Sequence, residues 1–208
     1  MRRLLKREFF NRKTLIVAKS LLGKYLVRKL GGKIIALQIS EVEAYDGPYD
    51  RASHASRGLT KRNSPMFGQA GNFYVYLTYG MHWMLNVVTG PKNYPAAILI
   101  RAVRLEPSNS FTRSCRSKRI NLRCISGPAR LTKFLSINKS LNGKPSGRKA
   151  GLWFEDSGVK IHPRNITRLA RVGVDYAGPI WSKKPYRYFY SDKLNKSHRH
   201  AHSRTAWY

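Results

Sequence analysis

Apolar positions along the chain recur with two different periods. Between residues 8 and 22 the spacing is helical, with Phe9, Leu15, Val17, Ala18, Leu21 and Leu22 as candidate core. Farther on, apolar and polar residues alternate, which is the period of a strand with one buried face. The alternation predicts strands at about 25–30 and 34–45, at 73–79 and 82–89 about a turn at Gly80, at 96–105, near 152–162 and at 185–190. Pro128 opens a short helix in which Leu131, Phe134 and Leu135 recur at helical spacing. Residues 46–72 form a loop rich in Gly, Arg, Ser and Pro, and a loop of that length in a compact domain is functional or disordered. Residues 108–124 read as a mobile basic segment, and residues 191–208 as a basic, disordered tail. No repeat or linker interrupts residues 1–190, which are expected to form a single domain.

Two places in this pattern carry candidate chemistry. In IIALQISEVEAY the alternation sets Glu41, Glu43 and Tyr45 on one strand face, opposite Ser40, Val42 and Ala44, and Asp46-Gly47-Pro48 ends the strand. A carboxylate at a strand end, beside a tyrosine and followed by a loop, is well placed to be catalytic. The plainer alternative makes Glu43 an ion-pair partner for Arg101, since a buried arginine in the apolar strand AAILIRAV requires one. The second place is the hairpin FYVYLTYGMHWMLNVV. Tyr74 and Tyr76 share one face there, with Phe73, Val75, Leu77 and Tyr79 on the other. Such aromatics commonly pack across strands. Tyr79-Gly80-Met81 falls at the turn itself, however, where a bulky tip has little of its own domain to touch, and wedges of this kind are pushed between base steps by minor-groove binders.

Charge sharpens both readings. The 208 residues hold 40 Lys plus Arg against 10 Asp plus Glu, a formal net charge of +30, so a polyanion is the expected partner. Four of the ten acids, Glu41, Glu43, Asp46 and Asp50, nevertheless crowd one ten-residue window, where they would repel phosphate. No apolar run approaches the ~20 residues of a spanning helix, and neither a signal-peptide pattern nor a broad amphipathic face appears, so no membrane partner is expected. An intracellular protein follows, in bacterial cytoplasm around the nucleoid, or in the nucleus or an organelle of a eukaryote. Cys115 and Cys124 form no CxxC pair, which argues against structural zinc, and His198, His200 and His202 read as part of the solvated tail. Arg113, Arg116, Lys118 and Arg119 read as non-specific phosphate contacts or a solvated face.

EVEAYDG, SHASRGLTKRNSPMFG, YVYLTYGMHWMLNVV, ISGPARL and RVGVDYAGPIWSKKP, in this order, resemble the alkyladenine (3-methyladenine) DNA glycosylase family from about Leu4 to about Tyr190. The resemblance implies an α+β fold: a single mixed domain with an antiparallel β-sheet core, a protruding β-hairpin and flanking helices. It implies a monofunctional glycosylase, without metal or organic cofactor, that acts as a monomer on double-stranded DNA containing damaged purines. Glu43 matches the general base that activates water, and Arg101 and the backbone carbonyl of Val172 match groups that hold that water. Tyr45, His54 and Tyr76 match the walls around the flipped base, and Asn86 the residue that discriminates against a purine 2-amino group. Tyr79 matches the side chain that fills the gap in the duplex, with Met81 beside it.

The chemistry can be weighed apart from the family. Departure of a purine through an oxocarbenium-like state needs one ionised carboxylate to orient and deprotonate water on the opposite sugar face. Alkylated purines already carry positive charge and leave without a general acid, and facing tyrosines attract such cations. Taken singly, His54 is an ordinary loop histidine and Asn86 a side chain that satisfies backbone groups. From other classes, a non-catalytic RNA- or DNA-binding protein fits the composition but leaves the acidic window unexplained. A metal-dependent nuclease would use Glu41, Glu43 and Asp46.

Overall fold

A computed structural model describes residues 2–105 and 124–190 of the protein. The chain opens with a two-residue strand β1 (Arg3–Leu4), a single helical turn α1 (Arg7–Phe10) and the helix α2 (Thr14–Leu21). Strands β2 (Tyr25–Leu30) and β3 (Lys33–Asp46) follow, then a loop with two 3-10 turns, His54–Arg57 and Ser64–Phe67. The hairpin β4 (Phe73–Thr78) and β5 (His82–Val88) leads to β6 (Ala96–Leu105). Beyond residue 123 come β7 (Cys124–Ser126), α3 (Pro128–Phe134), β8 (Leu152–Asp156), β9 (Ile166–Leu169), the short α4 (Gly178–Trp181) and β10 (Arg187–Tyr190).

All ten strands join one sheet. Its main path runs β1-β8-β2-β3-β6-β5-β4, with β10 on β3, β9 on β10 and β7 on β6. Every pairing is antiparallel, as expected for the α+β class. The two faces of the sheet part company at the central strands. Val42 and Ala44 of β3, Ile98 and Ile100 of β6, Leu85 and Val87 of β5, and Phe73 and Val75 of β4 are buried in one apolar cluster with Val17, Ala18 and Leu21 of α2 and Leu131 of α3. Each large apolar side chain buried this way contributes about 1.5–3 kcal/mol, so this face holds the fold together. The opposite face carries the buried polar side chains Glu41, Glu43 and Asn86.

The structure departs from the sequence reading in three places. The helix expected over 8–22 is broken, because Asn11 leaves helical backbone (ψ 55°) and Arg12 Nε turns back onto the Phe9 carbonyl at 2.7 Å. As a result Phe10, rather than Phe9, enters the core, where its ring lies 5.4 Å from that of Phe154. The strand expected near 152–162 stops at Asp156, whose carboxylate accepts from the Gly158 N–H at 2.8 Å and from Lys24 Nζ at 2.6 Å. Gly158 takes a positive φ (82°) that a strand does not allow. Strands β1, β7 and β9 are two to four residues long, too short for an alternation to be seen. The expected tail, the basic segment up to Arg123, Cys115 and the tail histidines lie outside the described residues.

Candidate active site

The face away from the core gathers its side chains by register. Arg187 of β10 is opposite Glu43 of β3, Glu43 opposite Leu99 of β6, Leu99 opposite Asn86 of β5, and Asn86 opposite Tyr74 of β4. Residues directly opposite share a face, so these five form one row across the sheet. Two residues to either side along the strands lie Glu41 and Tyr45, Arg101, and Tyr76, which pairs with Met84. The expected face of Glu41, Glu43 and Tyr45 is therefore the one that also carries Tyr74, Tyr76 and Asn86.

Between β3 and β6 the ladder is irregular. Pairing runs in register up to Ile39–Val103 and again from Val42–Ile100, while in between Glu41 meets Ala102, and Ser40 and Arg101 have no ladder partner. There Arg101 reaches both acids, with Nε 3.1 Å from Glu41 Oε1 and Nη1 3.3 Å from Glu43 Oε1. Burial works against the Arg101 charge, but Glu43 and Glu41 outweigh it and hold the guanidinium above its ordinary pKa. Arg187 Nη1 donates to the same Glu41 oxygen at 3.1 Å.

Glu43 is fully buried, and both its oxygens are held. Oε1 also accepts from the Val172 N–H at 2.9 Å, and Oε2 accepts from the Tyr45 hydroxyl at 2.9 Å. The group of Val172 that meets Glu43 is thus its amide N–H. Burial first, and then the Glu43 charge, push the Tyr45 phenol well above its ordinary pKa.

Two loop segments roof this face. From the first, His54 Nδ1 lies 2.9 Å from the Tyr74 hydroxyl, and its ring meets Tyr76 edge to face at 4.6 Å. Burial and then Arg62 and Arg57 depress His54 to about 4, so it is neutral near pH 7. Burial pushes Tyr74 up to about 12 and raises Tyr76 further. Asn63 ties this loop down, its amide donating to the carbonyls of His54 (3.0 Å) and Gly58 (2.8 Å). From the second segment, Val174, Ala177 and Trp181 pack with Ala52 and Tyr45, while Tyr176 donates to the Ala52 carbonyl at 2.9 Å. Asn86 is buried, and its amide donates to the Tyr74 carbonyl at 3.1 Å.

The hairpin tip stands apart from this cluster. Tyr79 and Met81 are 84% and 69% exposed. Met81 N–H closes the turn on the Thr78 carbonyl at 3.1 Å. Tyr79 (φ 50°) and Gly80 (φ 69°) both take left-handed backbone, which is free for glycine but costs a tyrosine about 1 kcal/mol. A bulky ring is thus held outward at an energetic cost.

Other geometry does not assemble. Asp46 is engaged by Thr14 (2.7 Å) and Tyr94 (3.2 Å). The trio Glu41, Glu43 and Asp46 does not converge as a two-metal site would require, and no such cluster occurs among the described residues. A groove of about 490 Å³ at the β1 edge, lined by residues such as Leu4, Pro145 and Arg148, holds no carboxylate.

A carboxylate gripped by three donors thus lies beneath an aromatic roof, with an exposed aromatic tip on the adjoining hairpin. The family model for methylpurine-DNA glycosylase matches residues 8–194. The chain belongs to this family. A provisionally named 3-methyladenine DNA glycosylase of Methanocella arvoryzae is 45% identical over 186 residues, covering 89% of this chain and 91% of the relative. One of the same name from Streptomyces avermitilis is 39% identical over 204 residues, 96% of this chain and 93% of its own. A third, from Carboxydothermus hydrogenoformans, is 40% identical over 187 residues, 89% and 94% respectively.

In this methylpurine-DNA glycosylase family member, sequence reasoning missed Arg187, Arg171 and Tyr176. Arg187 lies on a four-residue strand, and Arg171 reaches Asp50 across 121 positions. Neither leaves a local pattern.

Proposed function

We propose that this glycosylase flips an alkylated or deaminated purine out of duplex DNA and hydrolyses its N-glycosidic bond with a water activated by Glu43, leaving an abasic site. The observation that carries the reading is Glu43 itself: fully buried, gripped by Val172 N–H, the Tyr45 hydroxyl and Arg101, on the sheet face of Tyr74, Tyr76 and Asn86. The protein acts as a monomer. Lys and Arg around the site bind phosphates, so affinity falls steeply with salt. Tyr79, with Met81 beside it, enters the minor groove and fills the space the purine vacates, offsetting part of the few kcal/mol that extrusion costs.

The extruded purine stacks between Tyr45 on one side and His54 and Tyr76 on the other, with Asn86 rejecting a 2-amino group. A neutral His54 suits this role, since an imidazolium would repel an alkylated, cationic base. The C1′–N bond breaks with its electron pair going to the base. Water held by Glu43, Arg101 and the Val172 carbonyl then attacks C1′ from the opposite face, and Glu43 accepts its proton.

The test compares wild type with Glu43→Gln on duplexes carrying hypoxanthine or ethenoadenine, and on alkylated DNA, in EDTA. Strand cleavage is expected only after alkali, and the variant should be about 10²–10⁴-fold slower while DNA binding persists. Base release by the variant within tenfold of wild type overturns the assignment of Glu43. Silence of wild type on every lesion overturns the glycosylase reading in favour of a non-catalytic nucleic-acid-binding protein.

A further inference from the structure

Asp50 and Arg171 form a charged pair that the chemistry above does not use. Both side chains are fully buried. Arg171 grips Asp50 through both terminal nitrogens, with Nη2 at 2.8 Å from Oδ1 and Nη1 on Oδ2. The same two nitrogens donate to the Ala44 carbonyl at 2.9 Å and to the Trp181 carbonyl at 3.3 Å. On the other side, the Asp50 carboxylate accepts from the N–H groups of Asp46 and Ala52, each at 3.1 Å. The guanidinium lies over the rings of Tyr45 (4.8 Å) and Tyr186 (5.2 Å).

These contacts join three segments. One is the end of β3, which carries Glu43 and Tyr45. The second is the loop that continues from Ala52 to His54. The third begins at Arg171 itself, and its next residue, Val172, donates to Glu43. A buried ion pair is a poor source of stability, because well-packed apolar residues of the same volume serve as well or better. What a planar guanidinium supplies instead is a fixed fork and a flat stacking surface.

We propose that the Asp50–Arg171 pair is a positioning device for base excision: it sets the plane of Tyr45 against the extruded base and the Val172 N–H against Glu43. In this role the pair acts through Tyr45 and Val172. This rests on the glycosylase reading and adds to it the source of its alignment. Displacement of such groups by about 1 Å is enough for up to ~10²-fold in rate.

Two variants test it. Arg171→Lys keeps the charge pair, and with it the fold, but has neither fork nor plane. Asp50→Asn with Arg171→Met removes both charges and leaves none stranded. Each is assayed on ethenoadenine duplex by single-turnover base release at saturating protein, by half-saturating protein concentration, and by the fluorescence of the bound ethenoadenine, all normalised to folded protein. Rates are expected to fall at least tenfold, with half-saturation within threefold of wild type and a changed fluorescence of the bound lesion. A merely structural pair changes the folded fraction alone. Wild-type rate and fluorescence per folded molecule in both variants overturn the proposal, as does a loss of rate matched by an equal loss of affinity. A wild-type protein that releases no base overturns the glycosylase reading first, and the positioning role with it.

Discussion

Replacing Arg101 with methionine separates the two meanings that Glu43 has in the sequence, ion-pair partner and catalytic base. Arg101 serves Glu41 at 3.1 Å and Glu43 at 3.3 Å, and only 12% of its side chain is exposed. Once it is gone, Glu41 keeps Arg187 at 3.1 Å. Glu43 keeps the neutral donors Val172 N–H and Tyr45 hydroxyl, but no cation among its hydrogen-bond or ion-pair partners in the described residues. The substitution therefore strands one buried carboxylate, which costs about 3–5 kcal/mol. For a chain of this size each kcal/mol lowers Tm by about 2–4 °C, so a fall of ~6–20 °C is expected. Adding Glu43→Gln removes the stranded charge, and at least half of the lost stability should return. Thermal and urea melts of wild type, both single variants and the double variant complete the cycle. A cost below about 1 kcal/mol for Arg101→Met, or a double variant no more stable than Arg101→Met alone, would refute the reasoning. Glu43→Gln on its own should melt within about 1–3 kcal/mol of wild type yet lose base release.

Two further substitutions probe the roof and the tip. His54 is held near 4 against an ordinary 6.5, so the unfolded chain binds a proton that the folded chain refuses. Its contribution is complete above about pH 6.5 and is lost as pH falls towards 4, so His54→Gln should lose less Tm than wild type between pH 7 and 4.5; equal losses would refute the depressed value. Tyr79→Gly relieves the left-handed strain at the turn and should leave stability unchanged or higher by up to ~1 kcal/mol, while slowing base release from duplex by tenfold or more. A variant that melts earlier but excises normally would remove the tip from the mechanism.

Much of this was legible in the chain because its informative patterns are local. Period-two alternation puts Glu41, Glu43 and Tyr45 together on a face whatever lies beside it, and the turn at Gly80 exposes Tyr79 and Met81 without reference to the rest of the molecule. Illegible were the features that depend on distant segments or on very short ones. Alternation over β3 contains no sign of the irregular pairing at Ser40, which depends on β6. The N–H that Val172 offers to Glu43 is a property of backbone path, not of side-chain type. At the N-terminus Val17, Ala18, Leu21 and Leu22 were legible as core, but the break at Asn11, which puts Phe10 inside in place of Phe9, leaves no sign in the apolar spacing.

β10 has a consequence for how the enzyme comes into being. It pairs with β3 along Glu41–Glu43, taking the edge that β2 leaves after Gln38, and brings Arg187 to Glu41. It is also the last described strand to be made. During synthesis at about 5–20 residues per second, the edge of β3 beside both acids stays open for ~7–30 s after those acids emerge. Until β10 is made the apolar core lacks Tyr188 and Tyr190, and Glu41 lacks Arg187. Half-made protein tethered to a ribosome, itself rich in nucleic acid, therefore carries much of the positive charge of the protein without the finished ion-pair cluster on β3.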